Sequence, residues 1–185
     1  MDKKLSATTP LNGFHSVIGE VTLTEINPEI LCISVPKEME KKVNNEFKRV
    51  LKFNPPIVGQ SSLSKNSTIR VIRNSLDQFF ILFKNTSEVV QVMKSLEKYF
   101  YITEQSDAWV GIEISGKNSY SCLERICPLD LSTESFGVNT AVRTLMEHLN
   151  VLIIKTTEES FLLLSASSSA KSFLNAVETS AENIT

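Results

Sequence analysis

The feature that most constrains this chain is an order of patterns that occurs twice. Short apolar or alternating runs of strand type come separated by helical periods of three and four. In the first half, "GEVTLTEI" (residues 19–26) alternates Val21, Leu23 and Glu25 against Thr22, Thr24 and Ile26, and "EILCISV" ends at Pro36. From Lys37 the apolar residues Met39, Val43, Phe47, Val50 and Leu51 repeat at helical spacing behind that proline. "TIRVIRN" alternates again, "QFFILFK" is an apolar run suited to a buried strand, and Ser87 precedes a helical period through Val89, Val92, Met93, Leu96 and Phe100. The second half repeats the order: "AWVGIEIS", the short helical "GKNSYSCLERI", then "TAVRTLMEHL", "VLIIK" and "SFLLL" as strands, and "SSAKSFLNAVETSA" as a closing helix. Two β-α-β-β-α units predict an α+β fold, two ferredoxin-like halves with a mixed, mostly antiparallel sheet. The expected organisation is a loose N-terminal arm over residues 1–18 and a single domain over 19–185, whose halves cover about 19–103 and 104–185.

Composition narrows the function. The 185 residues carry 19 Lys and Arg against 21 Asp and Glu, without the basic stripe of a nucleic-acid binder. The densest basic stretch, "KKVNNEFKR", follows the acidic "KEME" and reads as a solvated helix face. No run approaches the roughly 18 apolar residues of a membrane span, and the N-terminus has no secretory pattern. Cys32, Cys122 and Cys127 are an odd set without disulfide-type spacing, which suits a reducing cytoplasm. A soluble cytoplasmic protein is expected, with neither nucleic acid nor membrane as partner.

Catalytic and cofactor motifs are missing. His15 and His148 are the only histidines, and a Ser-His-Asp or Cys-His arrangement would have to rest on His148 within a strand pattern. Cys122 and Cys127 lie five apart, with no second ligand pair for zinc. The six glycines form no phosphate-binding loop. No catalytic residue, metal site or cofactor is therefore assigned to the chain.

The stretch "SGKNSYSCLERICPLDL" gathers both of those cysteines. Their neighbours Leu123, Ile126 and Leu129 are apolar, which raises a thiol's pKa and makes it inert; Arg125 acts in the opposite direction. Pro128 stops the helix, and Asp130 can bond backbone in the turn that follows.

These residues carry a resemblance. Ser106, Asp107, Ser115, Gly116, Leu123, Cys127, Pro128, Leu129, Asp130 and Leu131 resemble the segment of sarcosine oxidase gamma subunits that ends in C-P-L-D-L. Phe136 follows at the family's interval, and Thr144 with His148 is similar to its T-x-x-x-H strand. "TTPLNGF" resembles the family's S-P-L start, and "SLDQFFILF" its P-D-E-W-L-L-V strand, with Phe79 in place of Trp. The chain departs from the pattern at Ser167 and Ser169, where the family's closing helix has Arg and an aromatic residue.

The resemblance implies a fold like part of the glycine-cleavage aminomethyltransferase, and a non-catalytic small subunit in a complex that demethylates sarcosine to glycine and passes the one-carbon unit to tetrahydrofolate. It places the flavins FAD and FMN in a beta subunit, NAD and the folate region in an alpha subunit, and zinc in a delta subunit. A free-standing folate-binding one-carbon protein is the alternative, with Asp107 or Glu113 against the pterin. His148 is either a contact to a neighbouring subunit or packed in its own fold. Trp109 is either an interface residue or core. Exposed apolar surface is expected around residues 11–14 and near Trp109 and Tyr120, with a symmetric dimer when the chain is alone.

Overall fold

The computed structural model describes residues 8–184. Two antiparallel sheets stack face to face, and helices cover both outer faces, giving four layers. The six-stranded sheet has the order β1-β2-β8-β11-β10-β9 and the five-stranded sheet β4-β5-β6-β3-β7. Their strands are β1 His15–Ile18, β2 Val21–Ile26, β8 Trp109–Ser115, β9 Ala141–Met146, β10 Leu149–Thr157 and β11 Ser160–Ala166 in the first sheet. The second holds β3 Glu29–Ser34, β4 Gln60–Leu63, β5 Ile69–Arg73, β6 Gln78–Phe83 and β7 Tyr101–Glu104. Every pairing between these strands is antiparallel.

Alternation divides each strand between two cores. On the outer face of the five-stranded sheet, Leu31, Ile33, Val71, Phe79 and Ile81 meet Val43, Phe47 and Leu51 of α1 (Val43–Leu51) and Val92 and Leu96 of α2 (Val89–Leu96). On the outer face of the other sheet, Leu23, Ile112, Ile153 and Leu163 meet Cys122 and Leu123 of α3 (Ser119–Glu124) and Phe173 and Val177 of α4 (Ala170–Glu182). Between the sheets lies a third layer of Ile30, Cys32, Ile72, Phe80, Leu82, Leu152, Ile154, Leu162 and Leu164. This is why "QFFILF" and "VLIIK" read as continuous apolar runs: both of their faces are buried. Gly111 sits in this layer because a Cβ there would meet Ile26 Cγ1 at 2.6 Å and the Ile26 carbonyl oxygen at 2.8 Å.

The boundary between halves does not follow the order along the chain. β2, expected in the first half, pairs with β8 of the second through Ile26↔Gly111 and its neighbours. The sheets also join at one edge, where Gln60 bridges Thr140, the Ala141 amide donates to the Gly59 carbonyl at 2.8 Å, and the Ser61 amide donates to the Asn139 carbonyl at 2.7 Å.

The N-terminal arm corrects the expectation of a loose segment. Residues 1–7 lie outside the described part, but His15–Ile18 form β1 against β2. Residues 9–14 fold over the Glu25 carboxylate, which accepts from Thr9 Oγ1 at 2.7 Å and from the amides of Leu11, Gly13 and Phe14 at 2.8, 2.6 and 3.3 Å. Leu11 and Phe14 are thereby packed on the core of the six-stranded sheet, as is Tyr120, instead of forming an exposed patch. The most exposed large apolar side chains among the described residues are Leu76, Ile57, Tyr101 and Val17.

Candidate functional site

The segment from Cys127 to Leu131 is a structural turn. α3 buries Cys122 and Leu123, and the Ser180 hydroxyl of α4 donates to the Cys122 carbonyl at 2.7 Å. The helix closes as the Ile126 and Cys127 amides both donate to the Leu123 carbonyl. Pro128 is exposed, Leu129 half-buried, and Leu131 enters the core. Asp130 Oδ1 accepts from the Ser132 amide at 3.0 Å, and its Oδ2 accepts from the Ser135 hydroxyl at 2.5 Å. These bonds to Ser135 and Ser132 hold the Asp130 carboxyl below its ordinary value. Burial pushes the Cys122 thiol up to about 11, against smaller opposing effects of Ser180 and Arg125. Burial also raises the thiols of Cys127 and Cys32. All three cysteines are buried and free.

Lys155 fastens the next loop. Its side chain is only 2% exposed, and the ammonium lies 3.3 Å from Glu158 Oε2 and donates to Thr133 Oγ1 at 3.2 Å. Sequence reasoning missed this residue, since a lysine after "VLII" reads as the solvent end of a strand.

Several of the candidate residues converge and others do not. Thr144 lies beside the Cys127 thiol and partly offsets the effect of burial on it. The amide of Glu147 donates to the Ile126 carbonyl at 2.9 Å, so the tip of the β9–β10 hairpin abuts the same turn. His148 belongs to that tip: Met146 pairs with Leu149, and Glu147 and His148 form the two-residue turn between them, with Glu147 at φ +53°. This corrects the placement of His148 within a strand. The ring is exposed, so it is not packed in its own fold.

Trp109 and Glu113 share one face of β8 but stand at different openings of the layer between the sheets. At the first opening, Trp109 meets Phe80 edge-on with ring centroids 5.3 Å apart. The Arg143 guanidinium lies over both rings, 5.3 Å from Phe80 and 5.4 Å from Trp109. Trp109 Nε1 donates to Gln105 Oε1 at 3.3 Å. Half-buried, Trp109 therefore serves mainly as the rim of the core. Asp107 is exposed before β8, and its carbonyl accepts from the Ser167 hydroxyl at 2.8 Å. Ser167, one of the two positions at which the sequence departs from the resembled pattern, thus makes a short contact within the chain.

At the second opening the sheets part around a cleft of about 410 Å³. Its floor is Ile26, Leu82 and Leu162, and Arg70 and Glu113 line it from the two sheets. Asp107 borders a different depression, beside Thr8, Asn27 and Ser167, so the two carboxylates are not brought into one site. Arg70 Nη1 donates to Ser61 Oγ at 2.8 Å and Asn139 Oδ1 at 3.2 Å. Burial lowers the Arg70 pKa, and the charge of Glu113 acts the other way. A register shift between Lys155 and Thr157 bulges β10 at Thr156, which also lines the cleft. Neither Arg70 nor Arg143 was singled out in the sequence. Their strand alternation reads as a solvent face unless a second sheet is known to cover it. Among the described residues, no three of His, Cys, Asp and Glu gather as metal ligands, and no helix is long and apolar enough to cross a membrane.

Two antiparallel sheets with helices outside define an α+β protein of aminomethyltransferase-like fold. The glycine cleavage system aminomethyltransferase T from Bartonella henselae superposes with a TM-score of 0.62 at 12% identity, over 85% of this chain and 45% of that one. The particular likeness is to sarcosine oxidase subunit gamma. That of Corynebacterium sp. (strain P-1) is 38% identical over 53 residues, 29% of this chain and 26% of the relative, and that of Arthrobacter sp. matches to the same extent. The matched stretch thus spans about a quarter of those relatives' length. In three dimensions, a chain of the heterotetrameric sarcosine oxidase from Corynebacterium sp. U-96 superposes with a TM-score of 0.80 at 19% identity, over 96% of this chain and 95% of that one. No protein-family model matches.

Proposed function

We propose that this chain is the small, non-catalytic gamma-type subunit of a sarcosine oxidase-like complex. The observation that carries the reading is the likeness to a chain of a heterotetrameric sarcosine oxidase, which extends over nearly the full length of both chains. The local sequence similarity to two gamma subunits supports it independently. The chemistry of the chain's own residues agrees with a structural role: the thiols are buried, and the segment around Asp130 is closed on itself.

In the complex, alpha, beta and delta partners would supply NAD and the folate region, the FAD and FMN flavins, and zinc, and would demethylate sarcosine to glycine with one-carbon transfer to tetrahydrofolate. The exposed hairpin tip at His148, next to the Cys127 turn, is the proposed contact to a partner. The test is to express the tagged chain in its own cells and purify it. Copurification of a flavin-bearing oxidase is expected, while the chain alone should be colourless and should not turn over sarcosine. Turnover by the isolated chain, or its recovery from those cells free of any oxidase subunit, would overturn the proposal. His148→Ala should weaken assembly without lowering the stability of the isolated chain; unchanged assembly would remove His148 from the interface.

A further inference from the structure

Arg70 and Glu113 form an opposed pair of charges across the cleft between the sheets. Arg70 projects from β5 on the face that carries Ile72 into the central layer, and Glu113 from β8 on the face of Gly111. The charge of Glu113 acts on Arg70 across the cleft. They make no ion pair, however; those among the described residues involve Arg49, Lys117 and Lys155.

Among the described residues, the remaining donors of Arg70 find no acceptor. Only its Nη1 is bonded, to Ser61 and Asn139, and no described residue accepts from Nε or Nη2. A guanidinium carries five N–H donors, so a planar edge is left for an acceptor. The Glu113 carboxylate accepts no hydrogen bond from any described residue and is exposed at the mouth. A partly buried cation without a bonded anion is costly, and stability alone gives no reason to keep it in an otherwise apolar layer. The space between is large enough for a small organic molecule and mostly apolar, through Ile26, Leu82 and Leu162.

We propose that this cleft binds a free amino acid with an apolar side chain, its carboxylate on the open edge of Arg70, its ammonium at Glu113 and its side chain on the apolar floor. Bidentate pairing suits a guanidinium edge and a carboxylate. Glu113 supplies a carboxylate for the ammonium in a cleft whose other charged lining residues are Arg70 and Lys84. This site is separate from the proposed subunit role and does not depend on it.

The experiment uses the isolated full chain, titrated by calorimetry and by amide chemical shifts with leucine. The probes lacking one charge are 4-methylpentanoate, without the ammonium, and isopentylamine, without the carboxylate. Saturable leucine binding with a dissociation constant of about 1 mM or tighter is expected, with each single-charge probe at least tenfold weaker. Glu113→Gln should weaken leucine about tenfold and leave 4-methylpentanoate unchanged. Because Glu113 is exposed, this variant should fold normally. Arg70→Gln should weaken both leucine and 4-methylpentanoate; since it also loses the bonds to Ser61 and Asn139, its folding is checked by circular dichroism. Absence of saturable leucine binding overturns the proposal. So does equal binding of the charge-deleted probes, or an unchanged affinity in a folded Glu113→Gln variant. None of these outcomes bears on copurification with an oxidase.

Discussion

Replacing Glu25 by alanine should release the N-terminal segment while leaving the sheet intact. The carboxylate gathers four donors from residues 9–14, and three of these bonds are 2.8 Å or shorter. Hydrogen bonds to a charged group contribute roughly 1.5–3 kcal/mol each when buried. Here the site is half-buried and the amide of Gly13 is exposed, so only the bonds from Thr9 and Leu11 count near the lower figure. That gives about 3 kcal/mol for the segment. The loss of global stability has a ceiling, because once residues 9–14 detach nothing further remains to lose. The backbone bond from the Glu25 amide to the Phe14 carbonyl, 2.7 Å, survives the substitution and keeps β1 in register. Native-state hydrogen exchange is the assay. The amides of Leu11 and Gly13 should exchange on the order of 100-fold faster, since each 1.4 kcal/mol is tenfold. Amides of β8 and β11 should be nearly unchanged. Unaltered exchange at Leu11 and Gly13 would show that Leu11 and Phe14 hold the segment by apolar packing alone, and the electrostatic account would be wrong.

Gly111→Ala should cost about 3 kcal/mol, because the new methyl meets the Ile26 backbone as well as its side chain; a fall in Tm of roughly 6–12 °C is expected in a scanning calorimeter. Lys155→Met should be close to neutral in chemical denaturation, since Glu158 is 64% exposed and regains water, whereas Glu158→Ala strands the buried ammonium and should destabilise by about 1–2 kcal/mol. The reverse order of those two variants would refute the assignment of the buried partner. At pH 8 the three thiols should react with Ellman's reagent only when the chain is unfolded. Because burial raises Cys122 from 9.0 to about 11 in the folded chain, the unfolded chain releases its proton first, and stability should fall as pH rises above about 9. A midpoint of denaturation that does not drop between pH 8 and pH 11 would contradict this.

Local signals determined much of this protein. The helical periods placed α1, α2 and α4, because an apolar stripe at three- and four-residue spacing must be buried on one side. The continuous runs placed β6, β10 and β11 in the interior, and the apolar neighbours of Cys122 and Cys127 foretold that both thiols are buried. Asp130 makes the local bonds that its side chain offers after a proline-stopped helix. The short strands β1, β4 and β7 were not legible, since four residues with few apolar members carry little periodicity. Nor was the hairpin tip at His148, because Glu147 supplies the positive φ that glycine or asparagine would have announced.

Tertiary structure alone decided which strands share a sheet and what lies between the sheets. Strand partners are chosen by long-range hydrogen bonding and burial, so β2 joins β8 across more than eighty residues of chain although its own pattern fits either half. The same stacking turns Arg70, Arg143 and Glu113 from apparent solvent-facing charges into the rims of a shared interior. A residue's alternation states which face it occupies; only the second sheet determines whether that face meets water, core or an open cleft.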